Sequence, residues 1–105
     1  MARGIMLVEA QCASPEELDA FNHWYDAVHI PEILSIEGFV SARRFLADDG
    51  ETYVAVYEID GDVAAAQANL AAARGAGTMT PPVGLRLDPP PVSRYLPEIG
   101  SFPAS

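Results

Sequence analysis

The residues of this chain best suited to chemistry crowd into one stretch, Asn22 to Phe45, NHWYDAVHIPEILSIEGFVSARRF. It holds both histidines, the single tryptophan and an Arg-Arg pair. His29 leads. An imidazole titrates near neutral pH and can move a proton from one atom to another, the step shared by enolisation, cyclisation and lactone isomerisation. Asp26 stands three residues before it and Tyr25 four, both neighbours on a helical surface. The spacing predicts that Asp26 orients His29, and that a helix end at His29 favours the protonated ring. The plainer alternative is a histidine that caps the helix by bonding a free carbonyl. Trp24 and Tyr25 are candidate walls for an aromatic ligand, although Tyr25 also falls on the expected core stripe.

Arg43 and Arg44 follow on a strand, so one must point to each face of its sheet. A buried arginine needs an anionic partner, and Glu9, Glu58, Asp26 or a ligand carboxylate or phenolate would serve. Tyr57 is a further candidate for substrate contact, with Tyr53, Arg94 and Tyr95 behind it as pocket-wall or interface residues. His23 lies off the apolar stripe and reads as a solvated surface residue. No second histidine sits one helical turn from His29, so a metal site is not expected. The chain has no Gly-rich phosphate loop, no defensible Ser-His-Asp order and no nucleotide fingerprint.

The elements that must position these groups are well punctuated. Gly4 to Cys12 alternates as a strand. Ser14 and Pro15 open a helix, with Glu17 placed to complete a capping box. That helix should bury Leu18, Phe21, Tyr25 and Val28, and end at about His29, because Pro31 pushes Ile30 out of the helical region. Pro31 to Leu34 then forms a short turn, and Gly38 precedes the next strand. Phe39 to Ala47 and Thr52 to Ile59 form a hairpin across Asp48-Asp49-Gly50. Strict alternation would put Phe39, Ser41, Arg43 and Phe45 on one face of the first strand. Asp60 or Asp62 caps a second, alanine-rich helix from about Val63 to Arg74, with Gly75 as its stop. Gly77 to Pro91 carries five prolines and reads as a long extended connection, with Leu85 to Leu87 a possible edge strand. Val92 to Leu96 is the last strand, and the tail after Pro97 is either loosely held or docked on a partner.

The order strand, helix, strand, strand, helix, strand predicts an α+β domain of the ferredoxin-like βαββαβ type, with an antiparallel sheet. Two helices cover one face only. The other face would carry either Phe39, Phe45, Tyr53, Tyr57 and Ile59 or the valines, and an apolar face of that size calls for a second copy of the chain.

With W-Y-D-x-x-H-x-P-E (Trp24 to Glu32), then Gly38-Phe39 and Ala42-Arg43-Arg44-Phe45, the chain resembles the dimeric α+β barrel superfamily, and within it the EthD-like branch. The resemblance implies one domain over residues 1–105, a homodimer joined through its sheet faces, and a small-molecule pocket between sheet and helices in each subunit. It also implies a cofactor-independent isomerase, cyclase or lyase acting on an aromatic, polyketide-like or lactone substrate. In that reading His29 is the acid/base, Asp26 its partner, and Trp24, Tyr25, Arg43, Arg44 and Tyr57 hold the substrate. The superfamily also contains cofactor-free quinol-type monooxygenases, for which Asn22, Trp24 and His29 are suitable residues, and haem-type oxygenases. A non-catalytic ligand-binding or accessory dimer is the further alternative.

Composition narrows the field. The chain has 105 residues, half of them hydrophobic, enough for one small domain that buries about 60–70% of its unfolded surface. Fifteen acidic against six basic side chains give a net charge of −9, which argues against nucleic acids and anionic membranes as partners. The single Cys12 cannot form an internal disulfide and reads as a small hydrophobe. Met1 to Ala13 loosely imitates a leader, but Glu9 and Gln11 interrupt it and a strand is expected instead. A cytoplasmic protein without a membrane span is the expectation.

Overall fold

The structure, a computed structural model, describes residues 3–104. Met1 and Ala2, the start of the leader-like segment, lie outside the described residues, as does Ser105. Four strands, β1 (Arg3–Gln11), β2 (Phe39–Leu46), β3 (Thr52–Asp60) and β4 (Val92–Pro97), form one sheet in the order β2-β3-β1-β4. All three pairings are antiparallel. Each helical connection therefore joins two parallel strands with a third, antiparallel strand between them.

The first helical connection differs from the expectation. It starts as a 3-10 turn, Pro15–Glu17, in which the Ser14 hydroxyl donates to the Glu17 carboxylate at 2.9 Å and does not cap a backbone N–H. It continues as α1 (Leu18–Trp24), a π-helical turn (Tyr25–His29) and α2 (Ile30–Leu34). Ile30 is helical, with φ −61° and ψ −48°, so the chain does not break before Pro31. The wide turn is the reason. A proline ring in a regular α-helix meets the carbonyl four residues back, here that of Ala27. One extra residue in the turn relaxes that crowding, and the Ile30 N–H reaches back five residues to the Tyr25 carbonyl.

The second helix, α3 (Val63–Gly75), begins where Asp62 accepts the Ala65 N–H at 3.2 Å, and buries Val63, Ala66 and Leu70. It ends one step beyond the expected stop: Ala76 closes it and Gly77, at φ +71°, turns the chain away. Both helical layers share one core with Met6, Val8, Phe39, Ala55, Tyr57 and Ile59, so they cover the same face of the sheet. The thinness of α3 lets it press close. At Gly38, φ +106°, a Cβ would stand 2.9 Å from that of Ala66.

The open face belongs to the valines. A β-bulge between Phe39 and Ser41 breaks the alternation of β2. Phe39, Ala42 and Arg44 thus face the helices, whereas Ser41, Arg43 and Phe45 face away with Val54, Val56 and Glu58 of β3. Strict alternation would have put Phe39 and Phe45 together. Tyr53, Tyr57 and Ile59, also candidates for the open face, lie on the helix side.

Among the described residues, no helix is long and apolar enough to cross a membrane. Beyond β4 the Glu98 N–H still bonds the Arg3 carbonyl at 2.9 Å, after which Ile99 and Phe102 are fully exposed.

Candidate functional site

The π-helical turn decides where His29 goes. In an α-helix a side chain stacks over residues three and four before it. In the wider turn the overlap moves toward the residue five before it. The His29 ring accordingly lies stacked on Trp24, with centroids 4.5 Å apart and planes at 23°. Tyr25, four residues back, meets the same ring edge-on at 5.1 Å. Trp24 and Tyr25 are themselves buried, at 5% and 3% exposure, so the imidazole is backed by rigid aromatic surface.

Asp26 does not orient His29. The same turn rotates it toward β2, where its carboxylate accepts from Arg44 Nη1 at 2.8 Å. Arg44 Nη2 bonds the Asn22 side-chain oxygen at 3.0 Å, and the guanidinium lies 4.5 Å from the Tyr25 ring centroid. Arg44 is thus the strut that fixes Tyr25 from behind, and of the partners open to it in sequence it has taken Asp26. Arg43 sits on the open face, over the Phe45 ring at 5.2 Å.

The expected preference for a protonated His29 is also overturned. Burial, and then the nearby Arg74 guanidinium, lower its pKa from 6.5 to about 4, against a smaller opposing pull from Glu32. Around neutral pH the ring is neutral and presents a free lone pair. The helix-terminus argument loses its footing because the helix does not end at His29.

His29, Trp24 and Tyr25 line a cavity of about 280 Å³. Ala10 of β1 and Arg74 of α3 add to its walls, and the proline-rich connection lines one side with Met79, Thr80, Pro81, Pro82, Leu85 and Pro91, leaving the cavity open to solvent. Neither Arg43, Arg44 nor Tyr57 lines it. Tyr57, a sequence candidate for substrate contact, is fully buried in the core. Burial and the neighbouring Tyr25 hydroxyl push its phenol far above the ordinary range. Burial raises Tyr25 too, with Tyr57, Arg44 and Arg74 pulling the other way.

The two hydroxyls lie near enough to act on each other's acidity, but the Tyr57 hydroxyl makes no hydrogen bond of acceptable geometry among the described residues. The Trp24 indole N–H is equally unpartnered.

The connection is held down at two points. The Glu32 carboxylate accepts from the Thr80 N–H at 3.0 Å and from its hydroxyl at 2.6 Å. Those bonds hold the Glu32 pKa below the usual carboxylate range. Farther on, the expected edge strand is a single bridge between Cys12 and Leu85. Arg86 reinforces it, donating to the Gln11 carbonyl at 2.9 Å and its side-chain oxygen at 2.6 Å. Gly84, at φ +69°, leaves only 3.0 Å between a notional Cβ and that of Phe21, so the connection lies directly on α1.

The sequence shows Arg74 and the connection without marking them as cavity walls, because each resembles something ordinary: the last basic residue of an alanine helix, and a loop. The signal available was the run of prolines, which stiffens a segment that would otherwise be a flexible linker. Among the described residues no three His, Cys, Asp or Glu side chains gather as a metal site. Compared with protein-family models, curated proteins and solved structures, the chain finds no match.

Proposed function

We propose that this chain is a ferredoxin-like domain of the dimeric α+β barrel type, EthD-like, that takes up a small cyclic metabolite and moves a proton on it with His29. The observation that carries the reading is the neutral imidazole stacked on Trp24 at the wall of an open-sided cavity. A neutral His29 would take a proton from a carbon next to a carbonyl. The substrate would become an enolate and the ring an imidazolium, and return of the proton to a second carbon or oxygen completes an isomerisation or cyclisation without net redox change. Trp24 and Tyr25 would supply the flat apolar wall, with Arg44 holding Tyr25 in place.

The strand order supports the fold part of this reading, and the open face supports the dimer. Ile5, Leu7, Val54, Val56 and Phe45 form an apolar band edged by Arg43, Arg94, Glu9 and Glu58, a set whose charges are complementary to a second copy of itself. A Val56→Asp substitution should convert a dimer to a monomer in light scattering; a wild-type chain that is already monomeric at tens of micromolar excludes the barrel.

The chemistry is tested by incubating the protein in D2O with aryl ketones, 1,3-dicarbonyls and butenolides, and following C–H to C–D exchange by NMR. The wild type should accelerate exchange for one class, and His29→Ala should lose that acceleration while remaining folded. Equal exchange in both proteins would remove His29 from the mechanism. One observation favours the non-catalytic alternative: a base with pKa about 4 is a weak one for work at pH 7. Under that reading ligands bind, and no carbon acid exchanges.

A further inference from the structure

Resting on the cavity reading above, we infer that the occupant is a small monoanion: a one- or two-ring apolar body carrying a single carboxylate or acidic enol, with the anionic end on Arg74. Arg74 is the only fully charged group in a cavity whose other walls are mainly aromatic, proline, methionine and leucine side chains. It makes no ion pair among the described residues. Arg3, Arg43 and Arg86 likewise make none, so what sets Arg74 apart is its place: at the end of α3, solvent-exposed, it stands at the wall of an otherwise apolar cavity, in a chain whose general field repels anions. Its planar fork suits a carboxylate there. One cation matches one negative charge.

Size sets the body of the ligand. A dry engineered cavity of about 150 Å³ accepts benzene. The present cavity, at about 280 Å³, is a little under twice that, and so admits one ring with substituents or a fused pair. The flat wall of Trp24 and Tyr25 meets the ring face, and the proline-rich connection lies across from it.

The assignment also connects Arg74 to His29. Arg74 helps hold the imidazole neutral. A bound anion offsets that field, the smaller of the two influences that lower the ring's pKa; burial, the larger, remains.

Benzoate and its neutral isostere benzamide are the probes, added to the full chain at pH 7 and followed by the fluorescence of Trp24, the single tryptophan. Benzoate should bind about fivefold more tightly than benzamide, the scale of one charge-assisted contact at a solvent-exposed guanidinium. Arg74→Gln should abolish that preference. In addition, benzoate should raise the pH at which the His29 ring titrates in the wild type and not in Arg74→Gln. Equal binding of the two probes, or a preference that survives Arg74→Gln, overturns the charge assignment while leaving the cavity reading intact. If neither probe binds, both fail together.

Discussion

Acidification should weaken this fold through His29 in particular, and the size of the effect follows from its surroundings. The ring has a pKa of about 4 in the folded chain against 6.5 when unfolded. The folded state therefore binds fewer protons than the unfolded one throughout the intervening range. Its contribution to stability is present above pH 6.5 and is lost as the pH falls toward 4. Full linkage for that difference amounts to about 3 kcal/mol. The ring is only half-buried, so solvent screening reduces the figure, and about 2 kcal/mol is expected by pH 4.

Carboxylates also take up protons as the pH falls. The measurement must therefore be a difference. Urea unfolding of the wild type and of His29→Gln, at fixed protein concentration and at pH 7, 6, 5 and 4, isolates the term, because glutamine cannot titrate. The wild type should lose about 2 kcal/mol more than the variant between pH 7 and 4. The signal is convenient, since a protonated imidazole in contact with an indole quenches it, and Trp24 is both the contact and the single tryptophan. The native baseline should thus fall near pH 4 in the wild type alone. Parallel stability curves for the two proteins would refute the burial argument, and with it the claim that His29 is neutral in the cavity.

Three further perturbations probe the supports of the site. Glu32→Gln should loosen the clasp on Thr80, read as faster hydrogen exchange at the Thr80 amide. In the wild type the same loosening should appear only as the pH falls below the normal carboxylate range, because those hydrogen bonds hold the Glu32 carboxyl acidic. Arg44→Met should cost about 1–2 kcal/mol by denaturant unfolding. A double-mutant cycle with Asp26→Asn should assign less than about 1 kcal/mol to the ion pair, since Asp26 is 63% exposed, and the rest to packing on Tyr25. Gly38→Ala should destabilise by about 1–3 kcal/mol, because it combines a positive φ with the close approach of Ala66. Ala66→Gly in the same chain should recover only part of that loss, since it relieves the contact and not the backbone.

The parts of the fold legible in sequence were those governed by local rules. Alternation marked β1, Asp62 marked the start of α3, and the Asp49-Gly50 turn is closed as expected, with the Asp49 carboxylate accepting the Thr52 N–H at 2.8 Å. Two features escaped those rules. One is the bulge in β2, a single unpaired residue that reverses which side chains face the helices; no residue type at Val40 announces it. The other is the π-helical turn. Proline statistics favour ending a helix before Pro31, and the alternative of widening the turn becomes favourable only once Tyr25 and Ile33 are anchored in a common core.

The site depends on that second feature more than on the identity of its residues. Trp24, Tyr25, Asp26 and His29 could all be named from their types, but their roles could not, because the roles depend on whether a turn holds three and a half residues or more. With a regular turn Asp26 would flank His29 and keep it charged. The wider turn gives Asp26 to Arg44 and His29 to Trp24, and thereby exchanges an ion pair for an aromatic stack. The consequence is chemical: the same four residues, in the same order, present a neutral lone pair to the cavity instead of an imidazolium. Pro31 is the residue that makes the choice. Pro31→Ala should allow the α-helical register to compete, bringing Asp26 back toward His29 and moving the titration of His29 upward from about 4, a shift measurable by NMR in a His23→Gln background. An unchanged titration in that variant would mean that packing of the aromatic pair, rather than the proline, holds the turn open.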